Sequence, residues 1–286
     1  MPIIDIHQHT HFHGRSDQKL IAHQRKMGVT RTILLPSGSA VDTASTNHGY
    51  SNGLGAQCTG NEAAYALQQQ YPDEISFYAC EVPDMPGAQK TIEKYLNLGA
   101  IGIGELKFNL EVDSKPMRLM YDIAKDYDVP ILMHFQHDLF YQLDYDRMRK
   151  ILEAYPTVNI IGHAQTWWGN IDKHHQQEIK HPKGGVTAGG ITDRLLSEYA
   201  NIYGDHSAGS GLTAMTRDEK HAPAFLQRHQ NQLLFGTDCA DSVGHGDGCQ
   251  GSQTLATLRR LAPSEDVLDK ILYLNAQKLF KLNATV

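Results

Sequence analysis

Cysteine is scarce: Cys58, Cys80, Cys239 and Cys249 are the four in 286 residues. Their scatter excludes the disulfide scaffold that staples small secreted domains, and reduced thiols are expected. Long apolar runs are missing as well. No stretch approaches the roughly 18 residues needed to span a bilayer, and no charged segment followed by an apolar core, the pattern of a secretory signal, precedes the first apolar run. A cytoplasmic setting without a membrane partner is the expectation. Positive charge is not in excess, with 26 Lys and Arg against 32 Asp and Glu for a net charge of −6. This argues against a nucleic-acid partner, which would call for clustered Lys and Arg. It leaves a small anionic substrate open, because a bound cation can dominate a small pocket. Internal repeats and shifts of composition are also absent, so residues 1–286 read as one domain, a size at which α/β barrels form single units.

What is present is alternation. Short, nearly continuous apolar runs are spaced along the chain: "PIIDIH" from Pro2, "TRTILLP" from Thr30, "ISFYACEV" from Ile75, "AIGIGELKF" from Ala100, "VPILMHF" from Val129, "VNIIGHA" from Val158, "NIYGDHS" from Asn201 and "QLLFGTDC" from Gln232. Runs of this kind are expected of strands buried on both faces. Amphipathic helical patterns lie between them, the first ending on Gly28 and another opening at Ser114, a candidate N-cap. Eight strands alternating with helices predict a single (β/α)8 TIM barrel. An open doubly wound sheet is the alternative, disfavoured because no G-x-G-x-x-G turn follows the first strand. Two polar loops are long, Ser37–Gly60 and Gln165–Gly190, and barrels carry substrate recognition on such loops.

Histidine is plentiful, with 16 residues, and its placement is informative. In a barrel the C-terminal ends of the strands converge on one mouth. Reading the ends of the predicted strands gives His7 and His9 on the first, Glu105 on the fourth, His134 on the fifth, His163 on the sixth and Asp238 on the eighth. Side chains two apart on a strand share a face, so His7 and His9 can reach one ion. Asp5 has the same parity, deeper, and is expected to orient an imidazole. Imidazole and carboxylate donors suit zinc. A lone H-x-H is weak; six candidate ligands at five strand ends make a divalent metal the expected cofactor.

These residues also carry a resemblance. "DIHQH", "MH", "GH" and "GTD" on strands one, five, six and eight resemble the amidohydrolase superfamily over essentially the whole chain, and "NIIGHA", "LLFGTDC" and "ILYLNAQKLF" are similar to its branch of aminocarboxymuconate-semialdehyde decarboxylase and related metal-dependent hydrolases. The resemblance implies that His7, His9, His134 and Asp238 hold a divalent metal, usually zinc, with His163 a ligand of a second ion or a catalytic imidazole. "GIGELKF" is similar to the TatD-like "GE" motif, which implies that Glu105 bridges two ions. Lys107 lies on the same predicted face and offers a carboxylated lysine as the other bridge, while the decarboxylase-like branch often has none. One or two ions are therefore expected, two favoured.

The expected function is hydrolysis of a small-molecule amide, lactone or ester by metal-activated water, with Asp238 and His163 as catalytic residues. Non-oxidative decarboxylation of an unsaturated or aromatic acid is the alternative, and a non-catalytic metal- or ligand-binding barrel a lesser one. Trp167, Trp168 and His206 are candidate substrate-binding residues. His11 and His13 read as loop residues, Arg194 as a surface ion pair, and His174 and His175 as part of a solvated loop. A homodimer is the default assembly.

Overall fold

The computed structural model describes residues 2–38 and 58–283, so positions 39–57 of the long polar loop expected over Ser37–Gly60 lie outside the described residues. Eight parallel strands follow in chain order: β1 (Ile4–Gln8), β2 (Arg31–Leu34), β3 (Ile75–Phe77), β4 (Ile103–Leu106), β5 (Ile131–His134), β6 (Ile160–His163), β7 (Ile202–Asp205) and β8 (Leu233–Leu234). Strands β1–β3 and β4–β8 form two regular ladders. Looser backbone bonds join them at both seams. Ile101 N donates to Phe77 O and Ala79 N to Gly102 O, each at 2.9 Å, between β3 and β4. Ile6 N donates to Phe235 O at 3.1 Å and Asp238 N to His7 O at 2.8 Å, between β8 and β1. The sheet thus closes on itself, and the fold is the (β/α)8 barrel that the alternating pattern predicts.

Among the described residues the helices are α1 (Asp17–Met27), α2 (Asn61–Gln70), α3 (Ala88–Asn97), α4 (Lys115–Tyr127), α5 (Tyr145–Ala154), α6 (Gln165–Gly169), α7 (Ile191–Glu198), α8 (Ala208–Thr216), α9 (Ala222–His229), α10 (Gln250–Leu261), α11 (Glu265–Asp269) and α12 (Asn275–Leu279). Gly28 ends α1 as expected: its φ of 80° is left-handed, and its N–H closes on Arg25 O and Gln24 O. Ser114 precedes α4, but its side chain makes no capping bond. Helices α6 and α8 were not expected. The first lies inside the predicted Gln165–Gly190 loop, and the second has few long apolar side chains to mark a helical pattern.

The barrel interior is apolar at one end. Ile4, Ile6, Ile33, Leu35, Leu132, Ile161 and Leu234 pack there with Tyr78, and Ala276, Leu279 and Phe280 complete the cluster. A larger apolar layer, including Leu34, Phe77, Met133, Ile160, Ile202 and Leu233, lies between strands and helices. The polar site is confined to the other end, where the strands terminate.

Two irregularities decide what points inward. From Asp5 to Gln8, β1 advances three residues while β2 advances two, from Thr32 to Leu34. An extra residue of this kind reverses side-chain parity. Ile4 and Ile6 face the interior before it, and His7 and His9 face the interior after it. Strand β4 makes the same step between Ile103 and Leu106, and both of these join the outer layer while Glu105 turns inward.

Outside the barrel, Asp193 ties α7 to α9. Its Oδ1 accepts from His229 Nε2 at 2.6 Å and Arg228 Nη2 at 2.8 Å, and its Oδ2 from Gly189 N at 2.6 Å. Burial alone would raise this carboxyl; the bonds from His229 and Arg228 outweigh it and hold the group at about 2 against an ordinary 3.8. A depressed folded-state pKa stabilises the fold above the unfolded value, and that contribution is lost as pH falls through the folded one. Asp193→Asn is therefore expected to cost about 2 kcal/mol near neutral pH. The gap between wild type and variant in urea unfolding should close as pH falls from about 4 towards about 2; a gap that persists at the acid end would refute the assignment.

Candidate metal centre

Four imidazoles converge on the mouth of the barrel, and each has one ring nitrogen committed to an acceptor. His7 Nδ1 donates to Asp205 Oδ2 at 2.7 Å, and His9 Nδ1 to the Leu35 carbonyl at 2.7 Å. His163 Nδ1 donates to Ser207 Oγ at 2.9 Å, and His134 Nδ1 donates to Glu105 Oε1 itself at 2.6 Å. A donor N–H on one side fixes the tautomer and leaves a lone pair on the other. The nitrogens so freed are His7 Nε2, His9 Nε2 and His163 Nε2, and all three face Glu105, as does the donating Nδ1 of His134. The register explains part of this, since His134 and His163 are paired neighbours on β5 and β6.

Glu105 is divided between two groups of donors. Its Oε2 lies 3.6 Å from both His7 Nε2 and His9 Nε2. Its Oε1 lies 2.6 Å from His134 Nδ1 and 3.8 Å from His163 Nε2. Asp238 faces the same space from the β8 end, with Oδ1 3.4 Å from His9 Nε2 and 3.9 Å from His7 Nε2, and Oδ2 3.8 Å from His163 Nε2. Nitrogen and oxygen ligands at about 2.0–2.2 Å from a tetrahedral centre stand about 3.3–3.6 Å apart, close to the spacing of the first group. The buried atoms His7 Nε2, Glu105 Oε2 and Asp238 Oδ1 have no hydrogen-bond partner among the described residues. Such a set is costly without a compensating cation. The donors therefore fit a divalent metal, and the carboxylate of Glu105 sits where it can serve two.

The charges point the same way. Burial raises Glu105, but Lys107, His134 and His7 hold it well below the ordinary carboxylate range. Burial also opposes ionisation of Asp238, and His7 and His9 bring it to about 2. Burial and the nearby Lys107 lower His134 to about 4, which keeps its ring neutral, the form that binds metal. His7 and His9 behave in the opposite way. Burial disfavours their protonation, yet Asp238 and Asp205 hold His7 well above its ordinary value, and Asp238 with Cys58 raises His9 to about 10. These two rings thus bind a proton more tightly than an ordinary histidine, and a metal would compete for the same lone pairs.

The remaining candidates are placed differently from the sequence reading. Asp5 lies before the bulge and faces outward. Its Oδ1 accepts from His7 N and Thr237 N, and its Oδ2 from Gln24 Nε2 of α1 and Thr237 Oγ1, so it clamps the β1–β8 seam and orients no imidazole. That task falls to Asp205, which the sequence reading missed. Asp205 is paired with the inward-facing Leu234 and reaches His7 Nδ1, His163 Nδ1 at 3.2 Å and Ser207 Oγ at 2.7 Å. The period of a strand then turns His206 away from the mouth. It is fully buried, with its ring 4.5 Å from that of Trp168. Trp167 and Trp168 are core residues: Trp167 packs on Phe135, and Trp168 Nε1 donates to Asp205 O at 2.8 Å. Short helix α6 rolls both indoles inward, and Trp168 also lines a small cavity with Gln165, Ser210 and Arg217. Lys107 is buried with Nζ 3.9 Å from Glu105 Oε1. Arg194 pairs with Glu198 on the surface. His11 and His13 are exposed, as is His174, whereas the His175 ring tucks against Gly169.

A family model described as Amidohydrolase matches residues 4–282. The chain belongs to the amidohydrolase family. No curated protein matches this amidohydrolase in sequence. Among solved structures it is similar to 2,6-dihydroxybenzoate decarboxylase from Rhizobium, at 16% identity, 99% coverage of each chain and a TM-score of 0.64. It is also similar to a probable 2-pyrone-4,6-dicarboxylic acid hydrolase from Acinetobacter baumannii, at 12% identity, 98% coverage of each chain and a TM-score of 0.58. A TatD homologue from Escherichia coli shares 16% identity over 98% of each chain, with a TM-score of 0.60. These likenesses are of fold. The described residues of the amidohydrolase include no helix long and apolar enough to cross a membrane.

Because Asp205 orients two ligand imidazoles at once, Asp205→Asn is expected to weaken metal binding by about 10- to 100-fold, the usual effect of losing such a partner. Competition of the purified chain with a chromophoric chelator measures this, and unchanged affinity would remove Asp205 from the support of the site.

Proposed function

We propose that this amidohydrolase hydrolyses a small-molecule amide, lactone or ester, with His7, His9, Glu105, His134, His163 and Asp238 holding two divalent ions, zinc the favoured metal. The observation that carries the reading is the division of Glu105, one oxygen to the His7 and His9 nitrogens and the other to those of His134 and His163. When bound, the ions supply a Lewis acid for the scissile carbonyl and make a water nucleophilic near neutral pH.

The side chains divide the remaining work. Asp238 is the most solvent-open of the six, its side chain 17% exposed while the others are nearly sealed. It is the group placed to accept a proton from an attacking water, and its depressed pKa keeps it ionised to do so. Backbone holds it in place, since Asp238 N donates to His7 O. His163 keeps the Nε2 lone pair directed at the site through the Ser207 and Asp205 bonds at its far nitrogen, so it can hold an ion or take up a proton as a catalytic imidazole. Buried Lys107 adds fixed positive charge beside Glu105 and favours a substrate with an anionic group.

A second reading, non-oxidative decarboxylation of an aromatic or unsaturated acid, is supported by structural likeness to decarboxylases. One of these was solved with 2,6-dihydroxybenzoate, and another, acting on 5-carboxyvanillate, with bound manganese. The metal-loaded chain incubated with panels of lactones, esters, amides and aromatic acids separates the two. Hydrolysis without carbon dioxide release is expected, and Asp238→Asn should lower it by about 10²- to 10⁴-fold, the range for a lost general base. Carbon dioxide release from the acids with no hydrolysis would replace the first reading by the second. Inactivity across all panels would leave a metal- or ligand-binding barrel. On metal content, Glu105→Ala should lose one ion per chain and His7→Ala should bind less than wild type; undiminished metal in both would undo the assignment of ligands.

A further inference from the structure

Another group of metal-ligating side chains is assembled away from Glu105. His23 of α1 meets Cys239, Asp241 and Cys249, all from the segment that joins β8 to α10, and one donor atom from each lies within 4.8 Å of the others. Cys239 Sγ and Cys249 Sγ are 4.0 Å apart. His23 Nε2 stands 3.3 Å from Cys249 Sγ and 3.5 Å from Asp241 Oδ1. The fourth side is closed by Cys239 Sγ, which donates to Asp241 Oδ2.

We propose that His23, Cys239, Asp241 and Cys249 form a second, structural metal site that takes a zinc ion. Sulfur at about 2.3 Å and nitrogen or oxygen at about 2.0–2.2 Å from a tetrahedral centre give edges of about 3.8 Å between sulfurs and about 3.5 Å between sulfur and nitrogen. Three of the observed separations lie close to these values, all six lie within 4.8 Å, and the Cys239–Asp241 pair has to open. Two thiolates, an imidazole and a carboxylate select zinc over the hard cations that prefer oxygen. Loading releases the two thiol protons to solvent and changes no oxidation state.

The surroundings are built to hold this shape. His23, Cys239 and Cys249 are buried, while the Asp241 side chain is 22% exposed and leaves a path for entry. Arg15 donates from Nη1 to Cys239 O at 2.7 Å and to Asp241 O at 2.9 Å, and Gln8 Nε2 donates to Cys239 O at 3.1 Å. The Arg15 guanidinium also offsets the net negative charge of the loaded ligand set. A disulfide is the rival use of the two cysteines. It would need the sulfurs to close to about 2.05 Å and would leave buried His23 without a function. The ion would lock the loop that begins one residue after Asp238, and so acts through Asp238 as a positioning device. It is independent of which bond the catalytic centre cleaves.

The test is zinc-edge X-ray absorption on the full chain, produced in zinc-replete medium and purified under reducing conditions. A zinc–sulfur path at about 2.3 Å is expected, because the catalytic ligands are nitrogen and oxygen. Cys239→Ser and Cys249→Ser should each lose sulfur scattering and one zinc per chain, and Cys58→Ser, which alters the thiol beside His9, should lose neither. Zinc-loaded wild type without sulfur scattering would overturn the site. So would a wild-type chain lighter by a pair of hydrogens, the mark of a Cys239–Cys249 disulfide, or loss of the sulfur path in Cys58→Ser alone. Each of these readouts stands apart from hydrolysis, so failure here and failure of the proposed reaction remain distinguishable.

Discussion

An imidazole can bind a cation only through a lone pair, and at neutral pH which of its nitrogens carries one is decided by what the other touches. That constraint organises the mouth of this barrel. Three acceptors of different kinds, the Asp205 carboxylate, the Leu35 carbonyl and the Ser207 hydroxyl, each take one ring N–H, and Glu105 takes that of His134. Between the rings sits a carboxylate with almost no access to water. A buried anion is an unfavourable arrangement on its own, and the His134 N–H and the nearby Lys107 ammonium offset part of the cost.

Much of this was legible in the sequence, for a simple reason. Parallel strands in a closed barrel end at one rim, so a residue near the end of any strand becomes a neighbour of residues near the ends of the others. His7, His9, Glu105, His134, His163 and Asp238 could be grouped without knowing a single contact, and the structure brings them together. The failures share a reason too. A strict alternation along β1 puts Asp5 on the side of His7, but the extra residue between Asp5 and Gln8 reverses parity, and no composition marks that step. On β7, attention to imidazole favoured His206 over Asp205, although the alternation itself sends one of the two outward. Trp167 and Trp168 follow β6 closely, and only the turn of α6 determines that they enter the core.

The cysteines show a limit of another kind. Read along the chain, four thiols scattered over 286 residues look inert. Two of them meet His23 only because β8 returns beside β1, which carries the following loop over α1. Contacts between residues more than 200 positions apart leave no periodic trace, and neither does the support that Arg15 and Gln8 lend to that loop. Local patterns predict elements and rims; they are silent about what a closing seam brings into register.

That seam has a consequence for how the molecule comes into being. Asp5 is held by Thr237, and Asp238 hangs from the His7 carbonyl. On the ribosome, β1 therefore waits while more than 200 residues are made before its partner emerges. During that interval a nascent chain displays His7 and His9 with neither the last carboxylate nor the closed wall that would select an ion. The proposed metal centre is accordingly complete only once β8 has docked.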